Sequence, residues 1–361
     1  MEIFFKNLVH ITHALTLLFF IVTCIYLYRK KSDSRLMKFL FWETVFWLFI
    51  QLKDIDRLIE RPLDITYLSG VKLCIDTWCV PITLFLLMEI TQPRRLNAKM
   101  ITLLMIPTVL LTAGYVVSSS MTWCYILLAY SVVYGLFMSV AVIMAARKHD
   151  NYIKRYFSYT ENICVEWVKK VVLLLFTMLV VWVVIIWTTP VTGDAIFYIF
   201  QIVVWSYIYH YSMKHQAVDV PVPASINPFY SEIEDQDEFD FEDETGSLAI
   251  NHPFEAKLQQ CMSERHMYLN PNLTISEVAF AIGTNRTYLS DYLNKKIGVN
   301  FYDYANKYRV MAACNILCDG SYKKLEEVAE MAGFNSLSTF HRSFKKIMAM
   351  TPLQYRKTII E

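Results

Sequence analysis

Residues 326–356 read EEVAEMAGFNSLSTFHRSFKKIMAMTPLQYR, and their order of turn formers and apolar residues decides the fold of the C-terminal third. The spacing predicts a short helix over 325–331 that ends at Gly333, because a residue without Cβ enters the left-handed conformation that a tight inter-helix turn needs. Ser336 is a good N-cap for a second helix. At 3.6 residues per turn Leu337, Phe340, Phe344 and Ile347 share one narrow arc, while Ser338, Arg342 and Lys345 point the other way. One face is built to pack and the other is left free. Thr351 and Pro352 stop this run and start a last helix that carries Tyr355 and Arg356.

The arrangement occurs twice. Glu277, Val278, Ala279, Gly283 and Asn285 repeat Glu327, Val328, Ala329, Gly333 and Asn335 at a spacing of 50. After a one-residue insertion in the second copy, Leu289, Leu293 and Tyr304 match Phe340, Phe344 and Tyr355. Between the copies, Phe301, Ala305, Tyr308, Ala312 and Ile316 form one apolar stripe, so a long connecting helix is expected to hold the two units apart at a fixed distance.

The stretch resembles the AraC-type family of bacterial transcription regulators. The resemblance rests on Ala-Gly-Phe-Asn at 332–335, Phe340, Phe-Lys-Lys at 344–346, Thr-Pro at 351–352 and Tyr-Arg at 355–356, and it covers roughly the last third of the chain. It implies two helix-turn-helix units on one domain, with a base-contacting residue at Arg342. One position departs from the family pattern: Ala349 stands where the family usually has glycine, which makes that turn less permissive.

The rest of the chain has a different composition. Of the 361 residues 55% are apolar and only 19% are charged, and the apolar ones crowd into long runs before about residue 212. The run over 8–28 would reach about 30 Å as a helix, the thickness of a bilayer's hydrocarbon core. Further runs lie at about 36–52, 71–90, 100–118, 122–145, 169–188 and 195–212. Seven spans are expected. Lys and Arg gather in the first, third and fifth loops (Arg29 to Lys38, Arg94 to Lys99, Arg147 to Lys170), which places those loops in the cytoplasm and the N-terminus outside. An odd number of spans then carries the C-terminal domain into the cytoplasm, where a DNA reader must be.

The fold class expected is therefore all-α: a polytopic transmembrane helix bundle followed by a soluble helical domain with two helix-turn-helix units. The boundaries are 1–215 for a seven-helix sensor domain, 216–250 for a disordered acidic linker and 251–361 for the DNA-binding domain. Nine carboxylates between Glu232 and Glu244 give the linker its charge. Interleaved with Phe239 and Phe241, they could also compete with phosphate for the reading face.

From residue 250 onward Lys and Arg number fourteen against ten Asp and Glu, a positive balance that the linker masks in the whole-chain charge of +1. Arg342 can donate two parallel bonds to guanine O6 and N7 in the major groove. Around it Ser336, Ser338, His341, Lys345 and Lys346 complete the second reading surface. In the first unit the set is Arg286, Thr287, Ser290, Asp291, Asn294 and Lys295. Lys295, Lys296, Lys345 and Lys346 stand at corresponding helix ends, suited to the salt-sensitive phosphate contacts. Asp291 can accept from cytosine N4 but is repelled by phosphate.

Ionisable residues inside spans are costly and so are functional candidates, which singles out Glu43 and Asp76 for ligand sensing. Glu89 reads as a partner for Arg94 and Arg95, and His10 with His13 as an interfacial pair. The eight cysteines show no metal-ligand spacing, and no cofactor is expected. No GxSxG, HExxH, P-loop or kinase pattern argues for an enzyme.

The sequence thus describes a membrane-embedded regulator in the inner (cytoplasmic) membrane that couples a sensed signal to DNA binding. Its partners would be double-stranded DNA, the lipid bilayer, an unidentified signal ligand or partner protein, and RNA polymerase. Two alternatives stand beside this reading: a transporter or channel with an autoregulatory DNA-binding domain, and a membrane-tethered regulator released by proteolysis.

Overall fold

Helix boundaries in the chain follow its local capping chemistry. The computed structural model describes residues 2–55, 66–188, 192–218, 254–318 and 324–360. Eight helices come first: α1 (Glu2–Lys30), α2 (Arg35–Lys53), α3 (Thr66–Thr77), α4 (Cys79–Thr91), α5 (Ala98–Ser118), α6 (Met121–Tyr156), α7 (Glu166–Thr188) and α8 (Thr192–Lys214). Ser34 starts α2 by accepting the Met37 N–H at 3.2 Å, and Asn97 starts α5 by accepting that of Met100 at 2.8 Å. Trp78 separates α3 from α4, with Pro81 in the first turn of α4, where its missing N–H breaks no helix bond.

The chain divides into two compact units, Met1–His149 with Val165–Asp219, and Asp150–Cys164 with Val220–Glu361. The segment 150–164, expected in the first domain, thus belongs to the second by its packing. Most of the acidic linker lies outside the described residues.

In the first unit α1 packs on α2 and α8, and an aromatic knot fills the middle. The rings of Phe20, Trp47 and Trp205 meet at centroid distances of 5.4 to 6.2 Å, and Thr44 Oγ1 shares a 2.7 Å hydrogen bond with Tyr209 Oη. Among the described residues five helical stretches are long and apolar enough to cross a membrane: Asn7–Lys30, Ser69–Thr91, Ala98–Ser118, Met121–Tyr156 and Glu166–Ile185. Large apolar side chains face outward from them, as with Val117 at 86% and Phe137 at 71% exposure, which suits a hydrocarbon surround. The other two expected spans, α2 and α8, form helices of 19 and 23 residues but are outside that set, being interrupted by Lys38, Glu43 and Gln51 in one and Asp194, Gln201 and His210 in the other.

Two side-chain expectations change. His13 is buried, stacked on Tyr198 at 4.8 Å with Nε2 3.1 Å from the Gln51 carbonyl, so it packs the bundle instead of sitting at an interface. Glu89 ion-pairs with Arg35 of α2 at 2.9 Å, a partner the sequence did not suggest, and also accepts the backbone N–H of Arg94 at 3.2 Å.

The second unit continues with α9 (Glu255–Ser263), α10 (Ile275–Ile282), α11 (Arg286–Asp291), α12 (Phe301–Cys318), α13 (Leu325–Met331), α14 (Leu337–Met348) and α15 (Pro352–Ile360). A π-helical turn over Tyr292–Ile297 extends α11. Thr274 and Glu277 cap α10 reciprocally, and Gly283 and Gly333 take left-handed conformations (φ +77° and +86°) after α10 and α13.

Two apolar cores lie along α12. Phe301 and Ala305 join the first, with Val278, Ile282, Leu289 and Leu293; Val310, Ala313 and Leu317 join the second, with Val328, Phe334, Phe340 and Phe344. The buried line on α12 therefore shifts around the helix, and the expected single stripe is only half buried at Tyr308, Ala312 and Ile316. On α14 the packed arc also differs: Thr339 and Ser343 are buried, while Ile347 is 37% exposed.

Candidate nucleic-acid interface

Each helix-turn-helix begins its second helix with an amide or hydroxyl cap. Asn285 Oδ1 accepts the Tyr288 N–H at 2.7 Å, and Ser336 Oγ accepts the Thr339 N–H at 3.2 Å. Leu289 and Leu293 on α11 and its π turn, and Phe340 and Phe344 on α14, are fully buried, which fixes the rotation of both helices and turns the opposite faces outward.

Those outward faces carry the expected reading residues. Thr287, Asn294, Ser338, Lys345 and Lys346 are exposed, and the His341 ring lies half-buried against Phe340. Arg342 is exposed on α14, its Nη2 donating to Tyr302 Oη at 3.1 Å. Three of the four lysines meet carboxylates: Lys295 pairs with Asp291 (2.8 Å), Lys296 with Glu255 (3.3 Å) and Lys346 with Asp303 (2.7 Å).

Ser290 corrects the sequence reading. It was expected on the free face, yet it is completely buried, because Arg155 at the end of α6 lies over it and donates to its Oγ. The same guanidinium bonds the carboxylate of Asp291, whose pKa is lowered chiefly by the bond from Lys295, with Arg155 adding to it against a smaller cost of burial. The repulsion expected between Asp291 and DNA phosphate is thus already neutralised by two cations.

Arg155 begins a strap over both reading helices that periodicity could not reveal. The Tyr156 ring packs on the first core and beneath the Arg286 guanidinium, 6.0 Å from it. Phe157 forms a β-bridge with Thr274, and Ser158 N–H donates to Leu273 O at 3.0 Å. Thr160 Oγ1 receives Arg342 Nη2 at 3.5 Å, and Glu161 Oε1 accepts from Ser336 Oγ at 2.9 Å, at the N-terminus of α14.

Burial tends to raise the Glu161 pKa, but bonds from Thr339, Ser336 and the backbone hold it below its ordinary value. This carboxylate lies at the N-terminus of α14, where the helix amides and dipole favour negative charge.

Arg309 anchors the strap from below. The side chain is buried, and it donates to Tyr268 O (2.8 Å), Asn270 O (2.8 Å), Asn306 Oδ1 (3.1 Å), and Ser158 O and Oγ (2.7 and 2.8 Å). Burial pushes its pKa down to about 10, so it stays charged at neutral pH.

The candidate sensing residues lie in the first unit. A cavity of about 620 Å³ is lined by apolar Trp47, Leu84, Phe176 and Trp182 and by polar Gln51, Lys72, Asp76 and Asp194. Asp76 is thus on its wall, ion-paired to Lys53 at 2.8 Å. Glu43 lies behind the wall, accepting from Trp47 Nε1 (3.0 Å) and Thr83 Oγ1 (2.7 Å).

With this geometry, similarity to known proteins is informative. Residues 278–358 match a family described as "Helix-turn-helix domain". The HTH-type transcriptional regulator YtdP of Bacillus subtilis is 32% identical over 92 residues, 26% of this chain and 12% of the relative. The regulatory protein PocR of Salmonella typhimurium strain LT2 is 26% identical over 109 residues, 30% of this chain and 36% of the relative. Among solved structures, the C-terminal domain of the two-component response regulator yesN from Fusobacterium nucleatum is 30% identical, with 28% of this chain and 95% of that chain covered and a TM-score of 0.25. The chain spans well under half the length of these two relatives. The C-terminal domain is a helix-turn-helix domain of the AraC type, and its similarity is to transcription regulators and not to enzymes.

Proposed function

We propose that the chain is a membrane-embedded transcription regulator in which the helical bundle senses a signal and the AraC-type domain reads DNA from the cytoplasmic side. One observation carries this reading: among the described residues five helical stretches long and apolar enough to cross a membrane share a chain with two helix-turn-helix units joined by one helix that contributes to both cores. The distribution of Lys and Arg between the apolar runs supports an outside N-terminus and a cytoplasmic C-terminal domain. Arg342 and Ser338 on α14, with Thr287 and Asn294 on the first unit, make the base contacts, while the lysines at the helix ends meet phosphates.

The cavity beside Asp76 supplies the sensing site. Its apolar walls and few convergent polar groups suit a small amphipathic molecule. Genome-wide crosslinking and immunoprecipitation from the membrane fraction tests the whole reading. Discrete peaks for the native chain that disappear with Arg342→Ala are expected; identical profiles for the two proteins would overturn it.

A further inference from the structure

We infer that residues 155–161 are a built-in competitor for DNA, which must leave the reading surface before the domain binds its operator; the inference rests on the DNA-reading function proposed above. The segment touches both units of the domain. Arg155 holds Ser290 and Asp291, Tyr156 lies against Arg286, Thr160 meets Arg342, and Glu161 sits at the capping hydroxyl of α14. All five contacted residues are among those expected to read DNA.

The chemistry of the two ends explains the choice of residues. Asp291 is a carboxylate in a surface meant for a polyanion, and Arg155 gives it a cation. Ser336 and the first turn of α14 form an anion-binding end, and Glu161 gives it an anion. Phosphate and Glu161 cannot occupy that end together. DNA and the segment therefore exclude each other, and each weakens the other by the same factor.

Release leaves no unpaired charge beneath. When Ser158 departs, Arg309 keeps its bonds to Tyr268, Asn270 and Asn306, and its freed N–H groups reach water. The segment joins α6 to α7, both of membrane-crossing length, so a signal that shifts either helix pulls directly on it through the chain.

The decisive variant is Arg155→Gln in the full-length chain, reconstituted in phosphatidylcholine nanodiscs and titrated with mixed-sequence genomic DNA fragments at fixed salt. Removing a cation from a DNA-binding surface ordinarily weakens binding. Release of a competitor does the opposite, and about tenfold tighter binding is expected. Equal or weaker binding overturns the inference.

A second measurement needs no mutation. Hydrogen exchange of residues 157–162 in the native chain should accelerate when DNA is added, because the Ser158 N–H loses Leu273 O. Unchanged or slowed exchange with DNA bound overturns the inference even if Arg155→Gln fails to fold. If neither the native chain nor Arg155→Gln nor Glu161→Gln binds DNA, the proposed function falls as well; if all three bind equally, only the competitor falls.

Discussion

Arg309 and Ser158 are 151 residues apart in sequence, yet the guanidinium donates to both the carbonyl and the hydroxyl of that serine, at 2.7 and 2.8 Å. The same side chain closes the loop around Tyr268 and Asn270 and rises from the helix shared by both cores. Arg309→Leu would leave several buried acceptors without donors, at about 1–3 kcal/mol for each that stays unsatisfied. All eight tryptophans lie at or before residue 205, so tryptophan fluorescence does not report on this unit. Hydrogen exchange of the α12 amides should show the loss, with the first unit unchanged.

Gly333 and Ala349 make opposite predictions from similar backbones. Gly333 has φ +86°, and a Cβ there would stand 2.7 Å from the Tyr268 carbonyl oxygen. Gly333→Ala should destabilise the domain by at least about 1–2 kcal/mol, the ordinary cost of a left-handed non-glycine residue, with the clash added. Ala349 already holds φ +58°. Ala349→Gly removes the strain but adds chain entropy to the unfolded state, for a net gain of about 0.5–1 kcal/mol. Protease resistance of the second unit should fall in the first variant and rise in the second.

These contrasts show what could be read from sequence. Gly283, Gly333, Asn285 and Ser336 announce both turns, because caps and left-handed residues are local requirements. Leu289, Leu293, Phe340 and Phe344 announce the buried faces, because helical periodicity is local too. Ser290 looks like a surface residue by that same rule and is buried only because Arg155, 135 residues earlier, covers it. Thr339 is buried although it lies outside the apolar arc that periodicity marks. Nothing in the end of α6 and the loop after it marks them as part of the reading domain, because Arg155 and Glu161 find their partners only in the distant Ser290, Asp291 and Ser336. In the bundle, helix existence was legible from apolar length. The Arg35 to Glu89 pair was not, since it joins different helices.

The strap should also respond to acid. The Glu161 pKa lies below its ordinary 4.5 when docked, so docking is stabilised above about that pH and loses this contribution as pH falls through the docked value. Asp291, lowered from 3.8, adds a second loss further down. Exchange of residues 156–161, corrected for its intrinsic pH dependence, should rise in the native chain as pH falls below 4.5. Glu161→Gln should flatten the upper part of that rise, and an identical profile in the variant would remove Glu161 from the account.

Lys345 and Lys346 are neighbours with different expected effects on DNA binding. Lys346 Nζ is 2.7 Å from Asp303 Oδ1, so moving it to a phosphate first breaks an ion pair that is partly screened by solvent. Lys345 is exposed at the end of the same helix. A lysine that contacts phosphate contributes about one unit to the dependence of log K on log salt, and its loss weakens binding across all sequences alike. Lys345→Ala should therefore lower the salt slope by about one and leave sequence preference intact. Lys346→Ala should lower it by less, because the native lysine gives up Asp303 to bind. Restoring the comparison with Asp303→Asn, which frees Lys346, should raise the native slope and affinity together; a slope unmoved by Asp303→Asn would show that the ion pair does not hold the lysine back.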